Sequence, residues 1–134
     1  MNKHFDPIRD KAADIIETIM NAPEMTKDEA LQFKIRLSVE EAVVNVCNYA
    51  YQGGIGWMEV ATNLSPDGLS LSIEMRDAGI PFNPLDKDDP DVTLDADERE
   101  IGGLGIFLCK QLMDDISYRY EDGCNILTMT KVLS

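Results

Sequence analysis

Residues 69–76, with the sequence Leu-Ser-Leu-Ser-Ile-Glu-Met-Arg, alternate strictly between apolar and polar side chains. Because successive side chains of a β-strand point to opposite faces of a sheet, this pattern predicts a strand with one buried face and one polar face. A chain that contains such a strand must also supply the elements that cover its apolar face.

The neighbouring segments supply both further strands and covering helices. The turn signal Ser65-Pro66-Asp67-Gly68 joins residues 69–76 to a preceding strand at 57–63. Helical spacing and start signals predict helices at 7–20, beginning at Pro7, and at 26–51, capped by Thr26. The other predicted elements are a helix at 104–113 and strands at 116–120 and 125–132. This order predicts an α+β fold, a two-layer sandwich with helices on one face of a mixed or antiparallel sheet.

Length and charge limit the classes of protein that remain. A chain of 134 residues corresponds to one domain, 1–134. It carries 25 acidic and 12 basic residues, for a net charge of -13, so it lacks the cationic surface that nucleic acids or anionic membranes require. We find no apolar run long enough to span a membrane and no signal-peptide core, and therefore expect a cytoplasmic protein.

The cysteines point to the same compartment. Cys47, Cys109 and Cys124 are widely spaced, and His4 is the single histidine. This pattern favours free thiols in a reducing cytosol over a disulfide framework or a zinc site.

The predicted second helix carries a polar row opposite its apolar stripe. The row contains Glu41 and Asn45, which point the same way because they are four residues apart. Two interpretations are open. The row faces water, or its oxygen atoms hold a magnesium ion and a water molecule. The stripe consists of Ile35, Val39, Ala42, Val43, Val46 and Ala50, and the other members of the row are Lys34, Ser38 and Asn48.

Two later segments have the composition of binding loops. Asp77 and Gly79 follow the alternating strand, where a carboxylate can reach into a pocket while the backbone turns. The segment Gly102-Gly103-Leu104-Gly105-Ile106 enters a helix, and free backbone N–H groups at a helix start suit phosphate oxygens. Each segment by itself is also compatible with an ordinary turn or helix start.

The three segments together, in this order and spacing, resemble the nucleotide-binding boxes of the gyrase, heat-shock chaperone and histidine-kinase ATPase superfamily. The Asp-x-Gly-x-Pro-Phe box at residues 77–82 is most similar to that of bacterial anti-sigma-factor serine-protein kinases. This resemblance, which covers about 33–131, implies a Bergerat-type fold that holds ATP between the helices and one sheet face.

The resemblance also implies roles for individual residues. Glu41 corresponds to the catalytic base, Asn45 to the magnesium ligand, and Asp77 to the acceptor of the adenine amino group. Gly79 would give room for the base, while Gly103 and Gly105 would cradle phosphates. The full set assigned to nucleotide binding is Asn45, Asn48, Asp77, Gly79, Arg99, Gly103, Leu104, Gly105, Ile106 and Thr130.

The chain departs from the family pattern at three places. Tyr49 stands where many relatives have a histidine, and Cys124 and Asn125 follow Gly123 where a Gly-Thr pair is common. Thr128 or Thr130 is the expected substitute. The family's opening strand is not evident before Pro7.

Residues 83–101 correspond to the ATP lid. Between Asp86 and Glu100 this segment has eight acidic and two basic residues, and one of the two, Arg99, is a candidate phosphate contact. A solvated loop and a lid that orders over Mg-ATP are both compatible with this composition.

The resemblance implies a regulatory kinase of a partner-switching system. Such a protein acts as an anti-sigma factor, phosphorylates a serine or threonine of an antagonist protein with Mg2+ and ATP, and forms a homodimer. The alternatives are a nucleotide-gated protein-binding module without phosphotransfer and a small structural domain with coincidental glycines.

Overall fold

The computed structural model describes residues 1–51, 55–86 and 103–133 of the chain. It contains five strands, three α-helices, one π-helical segment that continues the second helix, and one short 3-10 turn. They are β1 (Asn2–Phe5), α1 (Ala12–Met20), α2 (Glu29–Asn45), the π-helical segment (Val46–Ala50), β2 (Met58–Leu64), β3 (Ser70–Asp77), the 3-10 turn (Pro84–Asp86), α3 (Gly103–Leu112), β4 (Asp115–Glu121) and β5 (Cys124–Val132).

The strands form one sheet in the order β1-β2-β3-β5-β4, and every neighbouring pair is antiparallel. In β3, Leu71, Ile73 and Met75 are buried, as the alternation predicts. Side chains of α1 and α2 complete the core on that face, among them Ile19 and Val39. The predicted α+β sandwich is therefore confirmed, with an antiparallel sheet.

The start of the chain differs from the prediction. Residues 2–5 form an edge strand that pairs with β2, so the opening strand is present. Pro7 is not helical, because residues 7–11 form a turn in which the Ile8 N–H donates to the Gly56 carbonyl at 3.0 Å. Four largely exposed residues have no alternation to detect, and only the pairing with β2 makes them a strand.

The second helix begins two residues later than predicted. The Asp28 carboxylate caps α2 by accepting from the Leu31 N–H at 3.0 Å. Thr26 instead accepts from the Asp28 N–H, at 3.2 Å. Aspartate at this position satisfies one of the free N–H groups of the first turn. The helical path continues to Ala50 as the π-helical segment. Such segments are rare in proteins, and those that occur are often found at functional sites.

The middle of the polar row, at Ser38 and Glu41, packs against α3, whereas Lys34 and Asn48 at its two ends are exposed. Ser38 is fully buried, and the Cys109 thiol of α3 donates to the Ser38 carbonyl at 3.7 Å. Glu41, one turn further on, lies against Gly105 of α3. The water-facing interpretation of the row is therefore wrong at Ser38, while Glu41 is partly buried.

A tight hairpin joins β4 and β5. Asp122 and Gly123 both have positive φ angles, 54° and 76°, as a two-residue hairpin turn requires. This turn sets the register that places Asn125 opposite Tyr120. The separate pairing of β5 with β3 places Asn125 opposite Asp77.

Within the described ranges, none of the helices has the length and apolar character needed to cross a membrane.

Candidate nucleotide site

A cleft lies between the end of α2, the sheet and the segment after β3. It encloses a volume of about 40 Å³ and opens to solvent at its mouth. Most of its wall is apolar, and Asp77 supplies the carboxylate. Its lining residues in the described parts of the chain are Ala42, Asn45, Val46, Tyr49, Ala50, Met75, Asp77, Ile80, Phe82, Pro84, Ile106, Tyr118, Asn125 and Leu127.

Asp77 is the last residue of β3, and the alternation of the strand turns its side chain to the helix-covered face, where it is 4% exposed. Its Oδ1 atom accepts two hydrogen bonds, from the Gly79 N–H at 2.9 Å and from Asn125 Nδ2 at 3.0 Å. Its Oδ2 atom has no hydrogen-bond donor among the described residues. Oδ2 can therefore accept from an amino group in the cleft.

The environment of Asp77 also changes its acidity. Burial raises the pKa of Asp77, and the hydrogen bonds from Asn125 and Gly79 offset part of this effect. A buried carboxylate that lacks a cationic partner is costly to ionise, which is why such groups are found where they bind or react.

Asn125 is a site residue that sequence reasoning missed. It is 6% exposed, lies beside Asp77 across the sheet, and contacts the segment after β3 through the Phe82 N–H, which donates to its Oδ1 at 3.0 Å. The available signal was its place two residues after Gly123, where relatives often have Gly-Thr.

Gly79 lies against the end of the π-helical segment. A Cβ atom at Gly79 would lie 2.1 Å from the carbonyl oxygen of Ala50. The Ile80 N–H donates to that same oxygen at 2.9 Å. The absent side chain thus lets the loop pack on the end of the π-helical segment, and the role of Gly79 in giving room to the base stays a prediction.

Glu41 and Asn45 lie on successive turns of α2. Burial raises the pKa of Glu41, and a hydrogen bond with the Asn45 side chain acts in the opposite direction. Gly105, in the first turns of α3, lies directly against the Glu41 carboxylate. A half-buried carboxylate with a raised pKa at a helix start is suited to accepting a proton.

The structure brings together some of the expected residues and leaves others apart. Asn45 and Ile106 line the cleft with Asp77, and Gly103 and Leu104 form the start of α3. Asn48 is exposed and is not among the lining residues. Arg99 and most of the expected lid, residues 87–101, lie outside the described residues.

Thr130 is separated from the cleft by both direction and distance. It alternates with Met129 along β5, so its side chain points to the sheet face away from the helices. It also lies five residues beyond Asn125, about 17 Å along the strand. The structure therefore does not bring Thr130 to the nucleotide cleft, and Asn125 occupies the place that was expected for it.

The donor set available for a metal is small. In the described residues there is no group of three or more His, Cys, Asp or Glu side chains that could hold a metal ion. Asn45, with the Glu41 carboxylate beside it, offers oxygen atoms of the kind magnesium prefers. These residues fit a magnesium ion that takes its remaining ligands from phosphates and water.

Comparison with known proteins identifies the family. Residues 3–131 match the family model of the histidine kinase-like ATPase domain. The chain belongs to this family. The buried Asp77 and the apolar cleft are the candidate nucleotide site of this domain.

The chain is also similar to curated bacterial serine-protein kinases. It is 31% identical over 111 residues to the serine-protein kinase RsbW of Listeria monocytogenes. The aligned region covers 75% of the chain and 65% of the length of that protein. The RsbW proteins of Bacillus cereus and Listeria innocua are 29% and 30% identical, with 74% and 75% of the chain covered. The matches span 62% and 65% of the length of those two relatives. The resemblance seen in the three boxes is confirmed.

Proposed function

We propose that this histidine kinase-like ATPase domain is an ATP-dependent serine/threonine-protein kinase that acts as an anti-sigma factor and phosphorylates an antagonist protein. The observation that carries the proposal is the position of Glu41. Glu41 lies on α2, whose neighbouring residues Ala42 and Asn45 line the cleft. Its half-buried carboxylate contacts Gly105 of α3, and burial raises its pKa. The relatives named serine-protein kinases support the choice of reaction.

Each residue has a separate task in this proposal. Asp77 accepts a hydrogen bond from the adenine amino group through Oδ2, and Ala42, Ile106 and Leu127 bound the apolar space for the ring. Glu41 accepts the proton of the attacking hydroxyl, and its raised pKa makes it a stronger base. Magnesium, held by Asn45 and phosphate oxygens, would neutralise charge on the phosphates.

The partners and the compartment follow from the same assignment. We propose a sigma factor and an antagonist as protein partners and a homodimer as the working form. The net charge of -13 argues against a nucleic-acid partner. The three cysteines are free thiols, in keeping with a cytoplasmic location.

The test is phosphate transfer from labelled Mg-ATP to the antagonist proteins encoded by neighbouring genes. Glu41→Gln should reduce transfer by about 10²- to 10⁴-fold with ATP binding retained, as expected for removal of a general base. The matched control is Glu40→Gln, because Glu40 pairs with Arg36 on the surface at 3.1 Å and points away from Gly105. Absence of transfer to every such antagonist, despite proven ATP binding, would reject the kinase assignment.

A nucleotide-gated protein-binding module is the second candidate. The observation in its favour is that no lysine or arginine lines the cleft in the described ranges, although transferred phosphoryl groups are usually stabilised by cations. Such a module would bind its sigma factor with a nucleotide-dependent affinity that Glu41→Gln leaves unchanged. Calorimetric titration of the sigma factor with ATP, ADP or no nucleotide distinguishes the two candidates.

A further inference from the structure

The Asn125 side chain connects two parts of the molecule. Its amide nitrogen donates to Asp77 Oδ1 at 3.0 Å and to the Ile80 carbonyl at 2.8 Å. Its amide oxygen accepts from the Phe82 N–H at 3.0 Å and from the Tyr118 hydroxyl. One side chain thus contacts the base-binding carboxylate, the segment that follows β3, and the neighbouring strand β4.

These contacts saturate the amide. An asparagine side chain has two N–H donors and an oxygen with two lone pairs, and all four are used by close partners in the protein. The amide nitrogen also makes one longer contact, with the Gly79 carbonyl oxygen at 3.5 Å. Asn125 therefore has nothing to offer a ligand directly, and any effect on nucleotide binding must pass through the groups that it holds.

The group that it holds most directly is Asp77. Because Oδ1 of Asp77 accepts from Asn125 and from Gly79, the plane of the carboxylate is set and Oδ2 is the oxygen left for a ligand. Threonine, leucine and aspartate do not reproduce this pattern. Threonine has a single hydroxyl, leucine has no polar atom, and aspartate has no donor when ionised.

The second group is the backbone of residues 80–82. The Ile80 carbonyl and the Phe82 N–H are both bound to the Asn125 amide, and the Phe82 ring lies at the mouth of the cleft, 6.5 Å from the Tyr49 ring between centroids. The position of Phe82 therefore depends on the side chain that orients the carboxylate.

We propose that Asn125 is a positioning residue that selects the nucleobase through Asp77 and anchors residues 80–82 at the mouth of the cleft. The base-selection part rests on the proposed function, since it takes ATP as the ligand. The anchoring part is a property of the nucleotide-free protein, so the two can be tested separately.

The anchoring part is tested by hydrogen exchange of the Phe82 amide in the nucleotide-free protein. Asn125→Leu, which keeps a similar volume, should accelerate this exchange at least tenfold. The Leu31 amide, bound to Asp28, should not change. The matched control is Asn63→Leu at the exposed end of β2. Unchanged exchange at Phe82 in a folded Asn125→Leu protein overturns the proposal. If the leucine variant does not fold, the same measurement is made on Asn125→Thr.

The base-selection part is tested by calorimetric titration with ATP and inosine triphosphate, which has a carbonyl oxygen in place of the amino group. The wild type should prefer ATP, and Asn125→Leu should reduce that preference about tenfold because Asp77 is no longer oriented. An equal loss of affinity for both nucleotides would show a role in folding alone and overturn the proposal. A wild type that binds neither nucleotide would reject the proposed function, and the exchange measurement would still decide the anchoring.

Discussion

The Glu41 carboxylate of α2 and Gly105 of α3 are in such close contact that no side chain fits between them. A Cβ atom at Gly105 would lie 1.9 Å from Glu41 Cδ and 2.2 and 2.3 Å from its two carboxylate oxygens. The two helices thus meet at the residue proposed as the catalytic base. A larger residue at position 105 would displace the Glu41 carboxylate from this contact.

This contact predicts that the effect of Gly105→Ala depends on the residue at position 41. In the wild type the added methyl group must displace the Glu41 carboxylate, which is the flexible end of its side chain, so the substitution should cost about 1 kcal/mol, the low end of the range for overpacking. In a Glu41→Ala background the clash is gone. The same substitution should then be neutral or stabilising, because alanine favours a helix over glycine by about 1 kcal/mol.

Urea denaturation of the four proteins in this cycle gives the coupling between the two positions. Leu108→Ala, at an exposed position of α3, is the control for a general effect on the helix. An identical loss of stability on Gly105→Ala in both backgrounds would show that Glu41 is not the neighbour that matters.

Asp77→Asn should separate folding from nucleotide binding. The asparagine oxygen can still accept from Gly79 and Asn125, but its amide nitrogen replaces Oδ2 and meets the adenine amino group donor to donor. ATP affinity should fall at least tenfold, as for loss of a hydrogen bond to a charged group. Calorimetric titration measures this loss. Wild-type affinity in the variant would contradict the assigned role of Asp77.

The same variant should change how stability depends on pH. Burial raises the pKa of Asp77 above its unfolded value of about 3.9. Protonation is therefore easier in the folded state, and the stability that this group contributes is lost as pH rises through the raised pKa. The free energy of unfolding of Asp77→Asn, relative to wild type, should be lowest below about pH 3.9 and increase with pH. A relative stability that decreases with pH would be the contrary result.

ATP binding should require magnesium. In the described residues the cleft has no lysine or arginine, and the chain has a net charge of -13, so a triphosphate meets few compensating charges. Removal of magnesium with a chelator should weaken ATP binding at least tenfold, measured by calorimetry. Adenosine, which has no phosphates, should bind equally with and without the chelator. Equal affinity for ATP under both conditions would contradict this account of the site.

Alanine substitutions should distinguish residues of the cleft from those outside it. Asn45→Ala should weaken Mg-ATP binding about tenfold, because Asn45 lines the cleft and is the proposed magnesium ligand. Thr130→Ala should change it less than twofold, since Thr130 points to the other face of the sheet. Binding titrations of both variants make the comparison. A larger effect at Thr130 than at Asn45 would require a different site.

Local pattern was sufficient for much of the fold. The alternation at 69–76, the turn at Ser65–Gly68 and the apolar stripe of α2 each reflect a periodicity carried by neighbouring residues, and all three are present in the structure. The edge strand β1 was not predictable in this way. Its four residues are a strand only because β2, more than fifty residues later, provides the hydrogen-bonding partner.

The candidate nucleotide site likewise has features that the sequence predicted and features that only the tertiary structure decided. The order of Glu41, Asp77 and Gly105 along the chain was enough to indicate the family, because it resembles the known order of the family's nucleotide-binding boxes. Which atoms meet was decided by the tertiary structure alone. The antiparallel register puts Asn125 beside Asp77 and turns Thr130 away, and helix packing seats Gly105 on Glu41 and Gly79 on Ala50. Such contacts join residues that are 29 to 64 positions apart in the chain, so they depend on how the elements pack and not on any local pattern.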